Sequence, residues 1–382
     1  MVLMITALLS PIRLAAQPEV DLTYISQFGT KGSGAGQFQQ PTQVDTDSQG
    51  RIWVLDEGTS RVQICDYAGI CDFYRNNQGS IATFATPSGL VIDDQDRVLL
   101  LLRGNNRLYI CSGDTFCQNF IGGSGSGLGQ FNSPYGVAIN SEGKIVIADT
   151  DNRRVQQCDY NGNCTAFGVL AGAQGSPGVW WSPFSVGTNN QGEIFVGEVG
   201  SPPGGPPTTG FIHTCNIQGT CTDRWGGFGQ QTNDSTAPTA IDTDDRGNVY
   251  VADSGNHRIK VCTNHGNCVN FGRQGPGDLR FNFPSGVAFD NENRLIVADR
   301  DNERIQILQV TYLDDEPSFN INAGLNDAWY NPITDGQGFL ITVFPEIQEM
   351  FVAWFTFDTE RPPEDVTAML GEPGHRWLTA PV

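Results

Sequence analysis

The chain has 382 residues, with 38% hydrophobic residues, 46 Gly and 21 Pro. That length allows one large domain and a smaller one, and the turn residues favour an all-β chain over a helical one; the glycines have no period of three, which excludes collagen. The formal net charge of −20 repels phosphate backbones and anionic lipid head groups, so nucleic acid is not an expected partner.

Residues 1–16, MVLMITALLSPIRLAA, read as a signal peptide or its remnant: positions 2–9 are mostly apolar and Ala15–Ala16 is small. No Lys or Arg precedes the apolar run, and Pro11 and Arg13 interrupt it. No other segment is long and apolar enough to span a membrane. Leu22–Phe28 is strand-like and ends at Gly29.

From there one template recurs six times. A proline (Pro41, Pro87, Pro134, Pro183, Pro238, Pro284) is followed after six positions by an acid or amide (Asp47, Asp93, Asn140, Asn189, Asp244, Asp290). Three positions further comes a turn residue (Gly50, Asp96, Gly143, Gly192, Gly247, Asn293), then a short apolar strand. The third copy shows the unit. Pro134–Asn140 is an inner strand, Lys144–Ala148 a second, Arg154–Cys158 a third, and Cys164–Gly168 the fourth. Four antiparallel strands in about 46 residues make a propeller blade. The sixth copy ends at Ile305–Val310 without a fourth strand, so Leu22–Phe28 is expected to supply it and close the ring.

The ten cysteines fall into five pairs six positions apart: Cys65–Cys71, Cys111–Cys117, Cys158–Cys164, Cys215–Cys221 and Cys262–Cys268. Each pair flanks a turn after a strand-like run, which puts one cysteine on each arm of a hairpin, within reach of a disulfide. Zinc would need four converging ligands, and these pairs lie on different blades. Disulfides imply an oxidising compartment, so the chain is expected to be secreted or periplasmic.

The segments YGVAINSEGKIVIADTDNRRVQ, NVYVADSGNHRIKV and SGVAFDNENRLIVADRDNERIQIL resemble NHL repeats. The resemblance covers roughly residues 22–310 and implies a closed β-propeller, often six-bladed and mostly a binding scaffold, with a few enzymes among its relatives. The expected architecture is therefore a six-bladed propeller over residues 22–312, closed by its N-terminal strand and monomeric. After a linker at 313–323, residues 324–382 form a small β-rich module with strand-like runs at 328–330, 338–344 and 350–357. His375–Val382 shows no terminal strand, so that module reads as truncated.

One face of the ring, here the upper, carries the links between blades and between second and third strands; the cysteine turns lie on the other. Blade four departs from its siblings. Its Asp-x-x-Asn-x-Arg position reads Glu198–Gly210, a Pro/Gly-rich insertion, and Trp180 and Trp181 precede Pro183. Trp180, Trp181, Tyr135, Phe184 and Glu198 are the candidate ligand-binding residues on the upper face. The ends of the second strands carry Asp56, Asp149, Glu198, Asp253 and Asp299; Arg61, Arg154, Arg258 and Arg304 follow four of these by five residues and are expected to pair with them. Asp45 and Asp242 stand where other blades have Val91, Ala138, Gly187 and Ala288. If they face the channel they could hold, with Glu198, one divalent cation such as calcium.

Two functions follow. The first is a recognition scaffold for a protein, peptide or glycan, needing no cofactor. The second, suggested by six-bladed relatives, is a metal-dependent lactonase- or lyase-like enzyme. None of the four histidines begins an inner strand, so the histidine-dependent lyase pattern is missing.

Overall fold

The structure is a computed structural model. It describes residues 17–313, apart from 77, 113–116, 118, 169–177, 179, 181 and 200–209, together with the backbone of four strands between 327 and 381. Residues 1–16, Trp181, the 200–209 part of the blade-four insertion and the linker from 314 onward lie outside the described residues.

Six four-stranded antiparallel sheets form the blades. Blade 1 comprises Pro41–Thr46, Ile52–Asp56, Arg61–Cys65 and Cys71–Phe73. Blade 2 comprises Pro87–Ile92, Arg97–Leu102, Arg107–Ser112 and Asn119–Gly122. Blade 3 comprises Val137–Ile139, Ile145–Asp149, Arg154–Cys158 and Cys164–Phe167. Blade 4 comprises Pro183–Thr188, Glu193–Glu198, Phe211–Asn216 and Cys221–Gly226. Blade 5 comprises Pro238–Thr243, Val249–Asp253, Arg258–Cys262 and Cys268–Phe271. Blade 6 takes Pro284–Phe289, Arg294–Asp299 and Arg304–Tyr312 from the end of the repeat, and Val20–Phe28 from its beginning. That N-terminal strand pairs from Phe28 with Ile305 to Val20 with Tyr312. Inner strands pack side by side around the ring, and Pro284–Phe289 packs on Pro41–Thr46 to close it.

Second strands lie between neighbouring blades, so the residues of Ile52–Asp56, Ile145–Asp149 and Val249–Asp253 are all buried. A ring caps each of four such interfaces. Phe38, Phe131 and Phe281 are wholly buried against Gly29, Gly122 and Gly272. Those glycines have φ of +106°, +109° and +86°, and a Cβ there would meet the ring at 2.4–2.8 Å. Glycine is needed on both counts.

All five disulfides are formed, with Cα atoms 3.8–4.0 Å apart. Cys65, Cys158, Cys215 and Cys262 pair directly with their partners across the hairpin. The hairpin tips also hold blades together on the lower face. The Tyr67 hydroxyl donates to Asp290 Oδ2 of blade 6 at 2.5 Å, and Tyr160 donates to Asp93 of blade 2 at 2.7 Å. Arg294 and Arg97 stack on these rings at 3.6 and 3.7 Å from their centroids.

The chain divides into two units, Met1–Leu313 and Asp314–Val382. In the second, Asp327–Tyr330, Gln337–Phe344, Glu349–Phe357 and His375–Pro381 form an antiparallel meander. This corrects the reading of the C-terminal residues as lacking a strand: His375–Pro381 pairs with Glu349–Phe357, from Phe357 with His375 to Phe351 with Pro381. Its mixed sequence hides the alternation, and Pro381 falls at the strand's end, where a ladder N–H can be missing.

Candidate functional site

Five blades break register at the first residue after the blade proline: between Pro41 and Gln43, Pro87 and Gly89, Pro183 and Ser185, Pro238 and Ala240, and Pro284 and Gly286. A bulge re-aims the extra residue. Each proline is paired with the last residue of the second strand, so the bulged residues share the upper mouth of the channel with the residues that follow the second strands. Some knit the ring: Ser88 Oγ donates to the Pro134 carbonyl at 2.9 Å and Ser285 Oγ to that of Pro41 at 3.0 Å.

Blades 3 and 4 place aromatic rings there instead. Tyr135 and Phe184, both half-buried, stack with ring centroids 3.6 Å apart at 29°. Arg103 of blade 2 lies over Tyr135, its guanidinium carbon 5.2 Å from the centroid, and ion-pairs with Glu57 of blade 1 at 3.0 Å. Burial first, then the Glu57 charge, holds the Tyr135 phenol above its ordinary value, while Arg103 and Arg300 oppose this. Arg103 of blade 2, held by Glu57 of blade 1, therefore borders Tyr135, and Arg300 of blade 6 acts on it only through its charge. The sequence singled out Tyr135 and Phe184 but not Glu57, Arg103 or Arg300 as their companions. The missed signal is the residue right after each second strand: Glu57, Arg103, Thr150, Val199, Ser254 and Arg300.

Trp180 is not on this surface. It is 2% exposed, in the core between blades 3 and 4, edge-on to Phe167 at 5.7 Å and to His213 at 5.9 Å. It covers Gly168 (φ +106°) as the phenylalanines cover their glycines, and thus serves as blade four's interface plug. Its indole N–H has no acceptor among the described residues.

Glu198 is also inside the blade, at 2% exposure, with Oε2 3.2 Å from His213 Nε2. His213 Nδ1 accepts the Gly178 N–H at 3.2 Å, which leaves Nε2 as the donor to Glu198. Blades 3 and 6 build the same link with glutamine. Gln156 accepts the Gly129 N–H and donates to Asp149, and Gln306 accepts the Leu279 N–H and donates to Asp299. Blade 5 uses Lys260, fully buried, whose Nζ donates to the Asn233 and Asp234 carbonyls at 2.9 Å; burial lowers it to about 8. The Asp149–Arg154, Asp253–Arg258 and Asp299–Arg304 pairs form at 2.8 Å. Asp56 and Arg61 do not complete the set. Asp56 accepts from Thr59 Oγ1 and the Gln39 and Gln40 amides, and Arg61 donates to the Ser33 carbonyl.

Below the mouth lies a cavity of about 410 Å³ lined by all six inner strands, including Gln43, Asp45, Thr239 and Asp242. Asp45 and Asp242 use the same device two blades apart. Each accepts the N–H of its own successor, Thr46 at 2.7 Å or Thr243 at 2.8 Å. Each also accepts one from the next blade, Ile92 or Phe289, both at 2.6 Å. Burial, then the Asp242 charge, pushes Asp45 up to about 7; burial pushes Asp242 up to about 6. Glu198 does not join them, and among the described residues no group of three or more His, Cys, Asp or Glu side chains could hold a metal.

The NHL repeat family matches residues 38–65, 131–158, 237–262 and 281–308, within blades 1, 3, 5 and 6. Residues 20–312 form a six-bladed β-propeller that carries NHL repeats. An auxiliary nutrient binding protein from Bacteroides thetaiotaomicron superposes with a TM-score of 0.56 at 14% identity, over 77% of each chain. A gluconolactonase from Xanthomonas campestris gives 0.53 at 12% identity, over 78% of this chain and 99% of that one. A catalytically inactive virginiamycin B lyase from Staphylococcus aureus with quinupristin gives 0.51 at 13%, over 76% and 99%. At such identities these likenesses show the fold alone. None of the curated proteins matches the chain in sequence.

Proposed function

We propose that this protein is a recognition module of an oxidising, extracytoplasmic compartment that binds a protein, peptide or glycan at the upper mouth of its channel. The observation that carries the reading is the Tyr135–Phe184 stack, assembled from two blades and bordered by the Glu57–Arg103 pair. Aromatic surface beside fixed polar groups is the ordinary make-up of a binding site. Five disulfides support the compartment, and no helix among the described residues is long and apolar enough to cross a membrane.

The metal-dependent alternative is less well supported. Asp45 and Asp242 each already serve two backbone N–H groups, and without Glu198 they are two carboxylates where a calcium ion takes about six to eight oxygen ligands. The test is to screen the oxidised protein against glycan and peptide arrays and to measure every hit with Tyr135→Ala/Phe184→Ala. Loss of binding in that variant, with Leu128→Ala unaffected, supports the reading. Hits that bind the double variant as well as the parent overturn it. Leu128 is a fit control because it is 63% exposed.

A further inference from the structure

We propose that the outer edge of blade 3, Cys164–Phe167, takes an extended segment of a partner protein, uncharged at its core and basic at its flanks, which adds to the blade as a fifth antiparallel strand. This edge is on the rim of the ring, apart from the mouth, so the site stands or falls independently of the one proposed above.

The register fixes which backbone groups of that strand face outward. Cys158 and Cys164 are directly opposed, with Cα atoms 4.0 Å apart, the close spacing of a pair that exchanges no hydrogen bonds. The next pair toward the turn is bonded, as the alternation requires: the Asp159 N–H donates to the Asn163 carbonyl at 3.0 Å. Two positions along from Cys164, Ala166 opposes Gln156 in a second unbonded pair. The N–H and C=O of both Cys164 and Ala166 therefore point away from the sheet.

Elsewhere in the ring such edge groups are guarded. In blade 1, Asp72 turns forward to accept the Phe73 N–H at 2.8 Å. In blade 4, Asp223 does the same for Arg224 at 2.8 Å, and in blade 6 Asp21 does so for Leu22 at 2.9 Å. In blade 5 the Cys268 N–H goes to Asn233 Oδ1 at 3.2 Å, and the Cys268 carbonyl receives Gln17 Nε2 at 3.5 Å. Blade 2 sets Phe120 on its edge with the Arg107 guanidinium over the ring. Occupied donors and edge charges are what keep a sheet edge from recruiting another strand. Blade 3 has neither. Among the described residues no side chain bonds the outward groups of Cys164 or Ala166. Thr165 and Ala166 are exposed, and residues 160–192 contain no charged side chain.

The occupant follows from what can meet these groups. Outward N–H and C=O groups in strand order are all met at once by another extended backbone. A second copy of this chain fits poorly. The edge strand has 4 residues, which span about 14 Å. Two rims touching along that length bury well under the roughly 1,200 Å² of a stable interface, and two chains of net charge −20 repel each other. A short segment has no such area to fill. Main-chain bonds hold it, and the charge of the chain favours basic residues on either side of its core.

The test is fluorescence anisotropy of the oxidised protein with labelled acetyl-Lys-Thr-Val-Thr-Val-Lys-amide. The control is the same peptide N-methylated at its central residues, which keeps the charges and removes the donors. The parent peptide is expected to bind more tightly than the methylated one by roughly tenfold or more, and to slow hydrogen exchange at the Cys164 and Ala166 amides. Thr165→Asp gives blade 3 the guard that Asp72 gives blade 1, and is expected to weaken the parent peptide by roughly tenfold or more. Thr165→Ser should leave it unchanged. Thr165 is exposed, so neither substitution disturbs the core. The inference is overturned if the parent peptide does not bind, if the methylated peptide binds as well, or if Thr165→Asp has no effect. A dimer in sedimentation that Thr165→Asp disperses also overturns it, because the edge then belongs to a second copy.

Discussion

Reduction of the five disulfides is expected to remove most of the stability of the propeller. Each bond closes a loop with a sequence separation of 6. The loop-closure relation, 2.1 + 1.5R ln 6, gives roughly 7.4 cal/mol/K, or about 2 kcal/mol at 25 °C for each bond. Five such bonds total about 11 kcal/mol, comparable with the whole stability of a typical domain, about 5–15 kcal/mol. Reduction keeps the sulfur atoms in place, so the buried Cys158 and Cys262 leave no cavity and the chain-entropy effect is isolated. The assay is urea unfolding followed by tryptophan fluorescence, with and without dithiothreitol. For one bond, Cys158→Ser/Cys164→Ser should lower the midpoint by about 0.7 M, taking a slope of about 3 kcal/mol/M. A reduced protein with the midpoint of the oxidised one would refute the reasoning, and would mean that the unfolded hairpins stay closed without their bonds.

Four further outcomes are expected. The folded state keeps protons on Asp45 and Asp242 that an unfolded chain releases near pH 4, so stability should decline as pH rises from about 4 to about 7 and then level off. Asp45→Asn should flatten that decline in a pH series of urea midpoints; an unchanged slope would remove Asp45 from the account. Phe131→Ala should cost about 3–5 kcal/mol in the same unfolding assay, because the ring is wholly buried on Gly122, against less than about 0.5 kcal/mol for exposed Leu128→Ala. Arg304→Ala should cost about 3–5 kcal/mol by stranding the buried Asp299, and Arg61→Ala clearly less, since Arg61 has no such partner. Trp180→Phe should be near neutral in thermal unfolding, since it removes an indole N–H that finds no acceptor among the described residues.

The ring was legible because its signals are local and repeated. Fixed offsets from each blade proline, and cysteines at one spacing, need no knowledge of distant contacts. Even the closing strand could be placed, since Leu22–Phe28 has the ending of a fourth strand and blade 6 lacks one. The site was less legible because it is assembled across blades. Trp180 reads as an exposed aromatic beside a loop, yet it fills the place that phenylalanine fills elsewhere, and only the glycine beneath it reveals this. Glu198 reads as an unpaired acid because its partner is a histidine on the adjacent strand, not an arginine five positions on.

Blade 6 also sets an order of events in time. Val20–Phe28 leaves the ribosome before every other strand of the ring, and its partner Arg304–Tyr312 follows about 280 residues later. At a typical pace of about 5–20 residues per second, that strand spends roughly 15–60 seconds with an unpaired edge. Its neighbours meanwhile can close their own hairpins, which oxidation locks once they reach the oxidising compartment. The oldest strand is therefore the last to be sealed, which makes the waiting interval the moment when a chaperone or a second nascent chain has most to gain by binding it.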